Sequence, residues 1–169
     1  EQMRLRSVEM AGYLLECCDS LVLKFEEQGV IFEKDLNFKG EARVDNGRFF
    51  RVLENIANNA LDVLDENGHF TIHSMEVETG IRIILEDDGR GMSDEVKANA
   101  FKEFYTFGKR RGTGLGLAIV KRIVDEHDGI ISIESEEGLG TRFIIDLPAV
   151  GYNLLPKSKH QIPIPFDNA

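Results

Sequence analysis

The stretch FTIHSMEVETGIRIILEDDGRG, residues 70–91, reads as two strands joined by a tight turn and followed by a glycine-bearing loop. Phe70 to Val77 and Ile81 to Glu86 are rich in β-branched residues, with Glu78-Thr79-Gly80 between them, so the predicted element is a β-hairpin. A hairpin makes its strands antiparallel neighbours, which rules out an all-parallel sheet. Upstream of the Asn67-Gly68 break, Phe49, Leu53, Ile56, Ala57, Ala60 and Leu64 recur at helical spacing. Before them, Val30 to Leu36 and Ala42 to Asp45 read as short strands. Earlier still, Val8, Ala11, Leu14, Leu15, Cys18, Leu21 and Phe25 mark a first helix, with Ser7 as its N-cap and Gly29 as its stop. Downstream come a short helix from about Asp94 and a long helix ending near His127. Two strands follow, Ile130 to Glu134 and Thr141 to Leu147, around Gly138-Leu139-Gly140, and Pro148 closes the sheet. The expected fold is α+β: a two-layer α/β sandwich whose mixed, mostly antiparallel sheet is covered on one face by about three helices.

A chain of 169 residues is expected to form one domain, residues 1–150. Residues 151–169 read as an extended tail or linker, with three prolines among Lys157, Ser158, Lys159 and His160. No apolar run approaches the ~20 residues of a membrane helix. The formal net charge of −10 speaks against a nucleic-acid or anionic-lipid partner, and makes any local basic cluster conspicuous. Cys17 and Cys18 are adjacent within a helical pattern, so they are expected to be reduced core residues and neither a disulfide nor a zinc site. No secretory pattern precedes them, and the start at Glu1 reads as that of a piece of a longer, cytoplasmic protein.

Three groups of residues carry chemistry. Asn55, Asn59 and Asp62 fall at i, i+4 and i+7 on the second long helix, a polar stripe roughly opposite the buried one, with Asn58 beside it. The stripe is either a solvated face or a row of amide oxygens for a hard cation such as Mg²⁺, and interior asparagines cost up to ~0.7 kcal/mol each in helix propensity. Asp87-Asp88-Gly89-Arg90-Gly91 is either an ordinary turn or the place where Asp87 at a strand end accepts from an exocyclic amine. Gly112-Thr113-Gly114-Leu115-Gly116 enters a helix directly, so unpaired N–H groups and the helix dipole can hold phosphate there. Lys109, Arg110 and Arg111 precede it, either as a solvated loop or as counter-charges for a polyphosphate. The spacing matches neither the P-loop nor the dinucleotide fingerprint.

In this order, and from about Val8 to Pro148, these elements resemble the GHKL family of ATP-binding domains, most closely its histidine-kinase branch. Glu54 to Ala60 is similar to the N box, and the resemblance implies that Asn59 binds Mg²⁺ with Asn55 beside it, both as catalytic residues. Asp62 stands where many histidine kinases carry a phosphate-contacting lysine, which weakens one implied phosphate contact. Asp87 to Gly91 resembles the first glycine box, which implies that Asp87 binds the adenine amine and that Gly89, Gly91 and the following Met92 lie against the nucleotide. Phe101, Phe104 and Tyr105 are similar to the phenylalanine box that begins a mobile lid, continued by Thr106-Phe107-Gly108-Lys109. Phe104 is an implied nucleotide contact, Lys109 an implied catalytic residue, and Arg110 and Arg111 implied phosphate ligands. Gly112-Thr113-Gly114-Leu115-Gly116-Leu117 matches the second glycine box, and Gly140-Thr141 the late pair whose hydroxyl helps hold adenine.

The resemblance implies a protein-histidine kinase catalytic domain. It would bind Mg-ATP and pass the γ-phosphoryl group to a histidine on a separate dimerisation domain, with a response regulator as the next partner. The whole protein is then expected to be a homodimer and this chain alone a monomer. The ATPase branches place a water-activating glutamate one turn before the magnesium asparagine, where this chain has Asn55. Glu54 is turned by about 100° around the helix and is not expected to substitute. The alternatives are a GHKL ATPase and a non-catalytic or anti-sigma-type nucleotide module. His69, His73, His127 and His160 are expected to be structural and not phosphoacceptors.

Overall fold

Arg6–Glu9 forms a strand, β1, that leads straight into helix α1, Met10–Glu27, in the computed structural model, which describes residues 2–106 and 113–152. This departs from the expected start at Ser7. Ser7 is paired with Arg43 in an antiparallel ladder, and its hydroxyl donates to Glu41 Oε2 at 2.9 Å. The cap is Glu9, whose carboxylate accepts from the N–H groups of Ala11 at 3.0 Å and Gly12 at 2.7 Å. An anion on two first-turn donors satisfies them and complements the helix dipole.

Strands β2 (Ile31–Leu36) and β3 (Glu41–Val44) precede helix α2 (Asn46–Val63), which Asp45 caps through the Arg48 N–H at 3.2 Å. The hairpin follows as β4 (His69–Val77) and β5 (Gly80–Asp87), then helices α3 (Asp94–Asn99) and α4 (Gly116–Glu126), and strands β6 (Ile130–Glu136) and β7 (Gly140–Pro148). Five strands form one sheet in the order β2-β4-β5-β7-β6, with β2 and β4 parallel and the other neighbours antiparallel. The fold is therefore the expected mixed α+β arrangement. β1 and β3 form a separate two-stranded ladder, tied to the end of β7 by an Ala42–Ala149 bridge and by the Val150 N–H on Glu41 O at 2.8 Å.

Period-2 alternation sends Phe70 and Ile72 of β4, Ile81, Ile83 and Leu85 of β5, and Phe143, Ile145 and Leu147 of β7 into one core. There they meet Leu53 and Ile56 of α2, Leu14, Leu21 and Phe25 of α1, and Val120 and Val124 of α4. Each large side chain contributes about 1.5–3 kcal/mol through burial. Phe25 stacks on Phe70 at 4.6 Å and meets Phe32 edge-on at 5.1 Å, which fastens α1 to β2 and β4. The opposite face of the sheet carries ion pairs: Arg82 grips Asp146 with two bonds of 2.7 and 2.8 Å, and Arg142 reaches Glu86 at 2.9 Å. The same alternation carries Asp87, two residues beyond Leu85, and Thr141, two before Phe143, onto the helix side.

Cys17 and Cys18 are buried free thiols in α1, and burial pushes both up to about 11. They are core residues. Tyr152 packs near Phe38 and its hydroxyl donates to Glu76, so the chain stays attached just past residue 150. The remainder of the expected tail, residues 153–169, lies outside the described residues. Among the described residues no helix is long and apolar enough to cross a membrane.

Candidate functional site

A cavity of about 640 Å³ opens between the sheet and helices α2, α3 and α4. Its floor at one end is the directly paired couple Asp87 and Thr141, on β5 and β7. The two come together because Gly140 adopts φ +103 and carries no Cβ, which would lie 2.0 Å from the Asp87 carbonyl oxygen. The β6–β7 turn grips the loop after Asp87 in turn. Gly138 N–H donates to Arg90 O at 2.8 Å, Met92 N–H donates to Ser135 Oγ at 2.8 Å, and a Cβ at Gly91, φ +70, would stand 1.9 Å from Glu136 O. Asp87 is 7% exposed. Burial pushes its carboxyl up to about 6, against the Gly89 N–H that donates to Oδ1 at 2.9 Å, while Asp88 and Glu86 add to the rise. Oδ2 is left to accept from a ligand donor.

The other end is built from helices. Asn55, Asn58, Asn59 and Asp62 line the cavity from α2, followed by Val63. This polar side of α2 is covered by α4, so Asn55 and Asn59 are half-buried and the Asn55 Nδ2 is buried without a hydrogen-bond partner among the described residues. Facing them, α4 begins at Gly116, whose Cβ position would be 3.6 Å from Asn55 Oδ1. No side chain caps this helix start among the described residues, so its first N–H groups remain available to an anion. Val96 of α3, Ala100 at its C-cap and Phe143 of β7 form an apolar part of the cavity wall.

A family model described as histidine kinase-, DNA gyrase B-, and HSP90-like ATPase matches residues 44–151, more than half of the chain. The chain belongs to this ATPase family. The sensor histidine kinase ZraS of Escherichia coli O157:H7 is 36% identical over 108 residues, which are 64% of this chain and 23% of ZraS. The chain thus spans under a quarter of the length of that curated relative. The catalytic domain of histidine kinase ThkA superposes with a TM-score of 0.77 at 30% identity, over 86% of this chain and 96% of that one. ThkA has also been solved in complex with the response regulator protein TrrA, with a TM-score of 0.73 at 27% identity over 86% of this chain and 42% of that one. Full-length ShkA in complex with AMPPNP matches with a TM-score of 0.77 at 26% identity, over 88% of this chain and 32% of that one. The fold is that of histidine-kinase catalytic domains.

Within this ATPase-family fold, Asn55, Asn59, Asp62, Asp87, Gly91, Met92, Thr113, Gly114, Gly116, Leu117 and Thr141 line one cavity. Gly89 does not line it. It sits behind Asp87 and supports that carboxylate through its N–H. Leu115 occupies the N-cap of α4 and also stays out of the lining. Phe104 is 73% exposed, at φ +61, with its N–H donating to Gly114 O at 2.8 Å, and Tyr105 and Thr106 line the cavity in its place. Lys109, Arg110, Arg111 and Gly112 lie outside the described residues. Sequence reasoning had not named Val63, Arg90, Val96, Ala100, Thr106 and Phe143 as site residues. Phase alone could have found two of them: Val63 is four residues beyond Asn59 on a helix, and Phe143 two beyond Thr141 on a strand.

The histidines stand elsewhere. His127 is buried at the end of α4, where Nε2 accepts the Asp45 N–H at 3.0 Å, so Nδ1 donates to Ile123 O at 2.7 Å. His69 pairs with Asp88 at 3.0 Å and His73 with Asp35 at 3.8 Å, while His160 lies outside the described residues.

Proposed function

We propose that this chain is the ATP-binding, phosphoryl-donating unit of a protein-histidine kinase, acting on a histidine of a separate dimerisation domain and serving a response regulator. The proposed nucleotide lies with its base at Asp87 and Thr141 and its phosphates between α2 and the start of α4. The observation that carries the kinase reading is on α2: one turn before Asn59 the chain presents Asn55, while the neighbouring Glu54 is turned away and paired with Lys24 at 3.0 Å. An amide cannot take a proton from water, so the γ-phosphoryl group is kept for a protein nucleophile. A resemblance to ShkA, solved with AMPPNP, supports the nucleotide, and one to ThkA, solved with a response regulator, supports the partner.

The residues present fit a magnesium ion. Asn59 and Asn55 offer neutral amide oxygens one turn apart, and the buried Asn55 Nδ2 has no acceptor among the described residues, a role a phosphate oxygen can fill. When bound, Mg²⁺ neutralises phosphate charge and orients the transferring group. The chain's own part is positioning: Asp87 orients the base, the uncapped α4 terminus holds phosphate oxygens, and Val96, Ala100 and Phe143 exclude water between them. Lys109 to Arg111 are proposed to add positive charge at the phosphates. The whole protein is proposed to be a cytoplasmically facing homodimer and this chain alone a monomer.

Calorimetric titration of Mg-ATP into the chain and into Asp87→Asn tests the reading. Saturable binding by wild type that the substitution removes is expected. A cooperatively folded wild type that takes no ATP overturns the assignment, and rapid phosphate release abolished by Asn59→Ala replaces the kinase with an ATPase.

A further inference from the structure

Ser135 on β6 is 5% exposed and does not border the cavity, yet three groups converge on its hydroxyl. Met92 N–H donates to Oγ at 2.8 Å, the Gly140 carbonyl oxygen lies at 2.8 Å, and Thr141 Oγ1 lies at 2.9 Å. A serine hydroxyl has a single proton. The Gly140 carbonyl can only accept, so the Ser135 proton goes there, and the bond between the two hydroxyls is donated by Thr141. Thr141, which does border the cavity, is left with lone pairs alone to offer a ligand. Directly across the strand pair, the Asp87 carboxylate likewise offers lone pairs.

We propose that Ser135 is a positioning residue for base selectivity: it holds Thr141 as a hydrogen-bond acceptor, so that the base end becomes an acceptor-only edge favouring a 6-amino over a 6-oxo purine. This rests on the nucleotide reading above and adds a residue that never touches the nucleotide. A 6-amino purine brings two amine protons to that edge, one for each acceptor. A 6-oxo purine carries O6 in place of the amine: its N1–H can meet one of the two acceptors, but O6 is set against the other and its buried lone pairs stay unpaired. A freely rotating threonine hydroxyl could turn and donate to the oxo group. Ser135 removes that freedom, while the same oxygen secures Met92 N–H beside the base.

The test is calorimetric titration of Mg-ATP and of Mg-ITP, its 6-oxo counterpart, into wild type, Ser135→Ala, Ser135→Thr, Thr141→Val and the double variant Ser135→Ala/Thr141→Val. Thermal melting first establishes that each is folded. The ATP-to-ITP affinity ratio is expected to fall about tenfold in Ser135→Ala, the worth of one neutral hydrogen bond, and to return in Ser135→Thr. In the Thr141→Val background the same serine substitution is expected to leave the ratio unchanged, because no hydroxyl remains to be held. A merely structural serine would weaken both nucleotides alike. An unchanged ratio in Ser135→Ala, or an equal fall with and without the Thr141 hydroxyl, overturns the proposal. Should Ser135→Ala not fold, Ser135→Cys, which keeps the volume and weakens the bonds, takes its place under the same criteria. If folded wild type binds no ATP, the nucleotide reading fails and this proposal with it; ATP binding with an unaltered ratio sinks this proposal alone.

Discussion

The two ends of the cavity are built from different materials. At the base end, Asp87 and Thr141 stand on neighbouring strands in fixed register, and Gly89 N–H and the Ser135 hydroxyl already engage them. At the phosphate end, the Asn55 and Asn59 side chains project from α2 toward a helix start without a side-chain cap, and the Asn55 Nδ2 is buried without a partner among the described residues. One end is held in position before any ligand arrives and the other is completed by it. A preorganised, sheet-borne end is suited to selecting a base, because its donors and acceptors cannot rearrange cheaply. An incomplete, helix-borne end is suited to holding charge that is delivered and then carried away.

The sharpest way to break this division is Asn59→Ala. Loss of about 10²–10³-fold in phosphotransfer to the acceptor histidine of the whole protein is expected, the scale seen when one preorganised polar contact to developing charge is removed. The loss should be confined to magnesium-dependent steps, so affinity for metal-free ADP, measured by calorimetry, should stay within about threefold of wild type, under about 1 kcal/mol. An equal loss for metal-free ADP would show that the two ends are not separable.

The next largest effect concerns Asp87 and pH. In the free protein its carboxyl is pushed up to about 6, first by burial, whereas a ligand amine favours the ionised form. Binding must therefore expel a proton below pH 6, and ATP affinity is expected to fall by about tenfold for each pH unit from 6 toward 4. Calorimetry in buffers of different ionisation enthalpy measures the released proton. A wild-type profile that is flat between pH 4 and 7 would remove Asp87 from the base contact.

The same carboxyl has a cost in the empty protein. A folded pKa raised from 3.8 to about 6 means that stability is complete below the unfolded value and is lost as pH rises through 6. Relative to Asp87→Asn, the free wild type is expected to lose roughly 2 kcal/mol between pH 4 and pH 7. Urea denaturation at the two pH values reads this directly. A constant difference would mean that Asp87 is solvated as an ordinary carboxylate and that the base end is less closed than its strand register implies.

The same contrast explains what could be read in advance. The sheet was legible because hairpins and period-2 alternation are local signals: Glu78-Thr79 and the apolar residues around it determine both pairing and facing. Asp87 and Thr141 followed from phase and resemblance. The β1–β3 ladder was not legible, because Ser7 before an apolar helical pattern is a good N-cap signal, and only pairing with residues 41–44, far along the chain, turns Ser7 into a strand residue. The amide stripe was visible but what covers it was not, since that depends on where α4 starts. Phe104 illustrates the opposite case. An aromatic residue in the right motif ends exposed because its backbone turns and bonds to Gly114, and its neighbours take the lining. Ser135 gave no signal at all: a serine within a strand is unexceptional until three partners meet on one oxygen.

The smallest expected effect is the most useful for separating kinase from ATPase. Glu54 is the α2 carboxylate nearest in sequence to the position where the ATPase branches carry their water-activating glutamate, and a shift of one residue is enough to disqualify it. Its carboxylate meets Lys24 of α1 at 3.0 Å with both side chains about two-fifths exposed, and it does not line the cavity. Exposed pairs of this kind contribute about 0–1 kcal/mol, so Glu54→Gln should shift the melting temperature little. Basal phosphate release from Mg-ATP should stay within about twofold of wild type, a change worth less than 0.5 kcal/mol in barrier height. By contrast, Asn55→Glu places a carboxylate on the lined face of α2, and an increase in phosphate release there, with none lost in Glu54→Gln, would locate the kinase-to-ATPase distinction at one helical position. A large fall in release on Glu54→Gln would mean that the side chain leaves Lys24 and reaches the phosphates, and the kinase reading would lose its carrying observation.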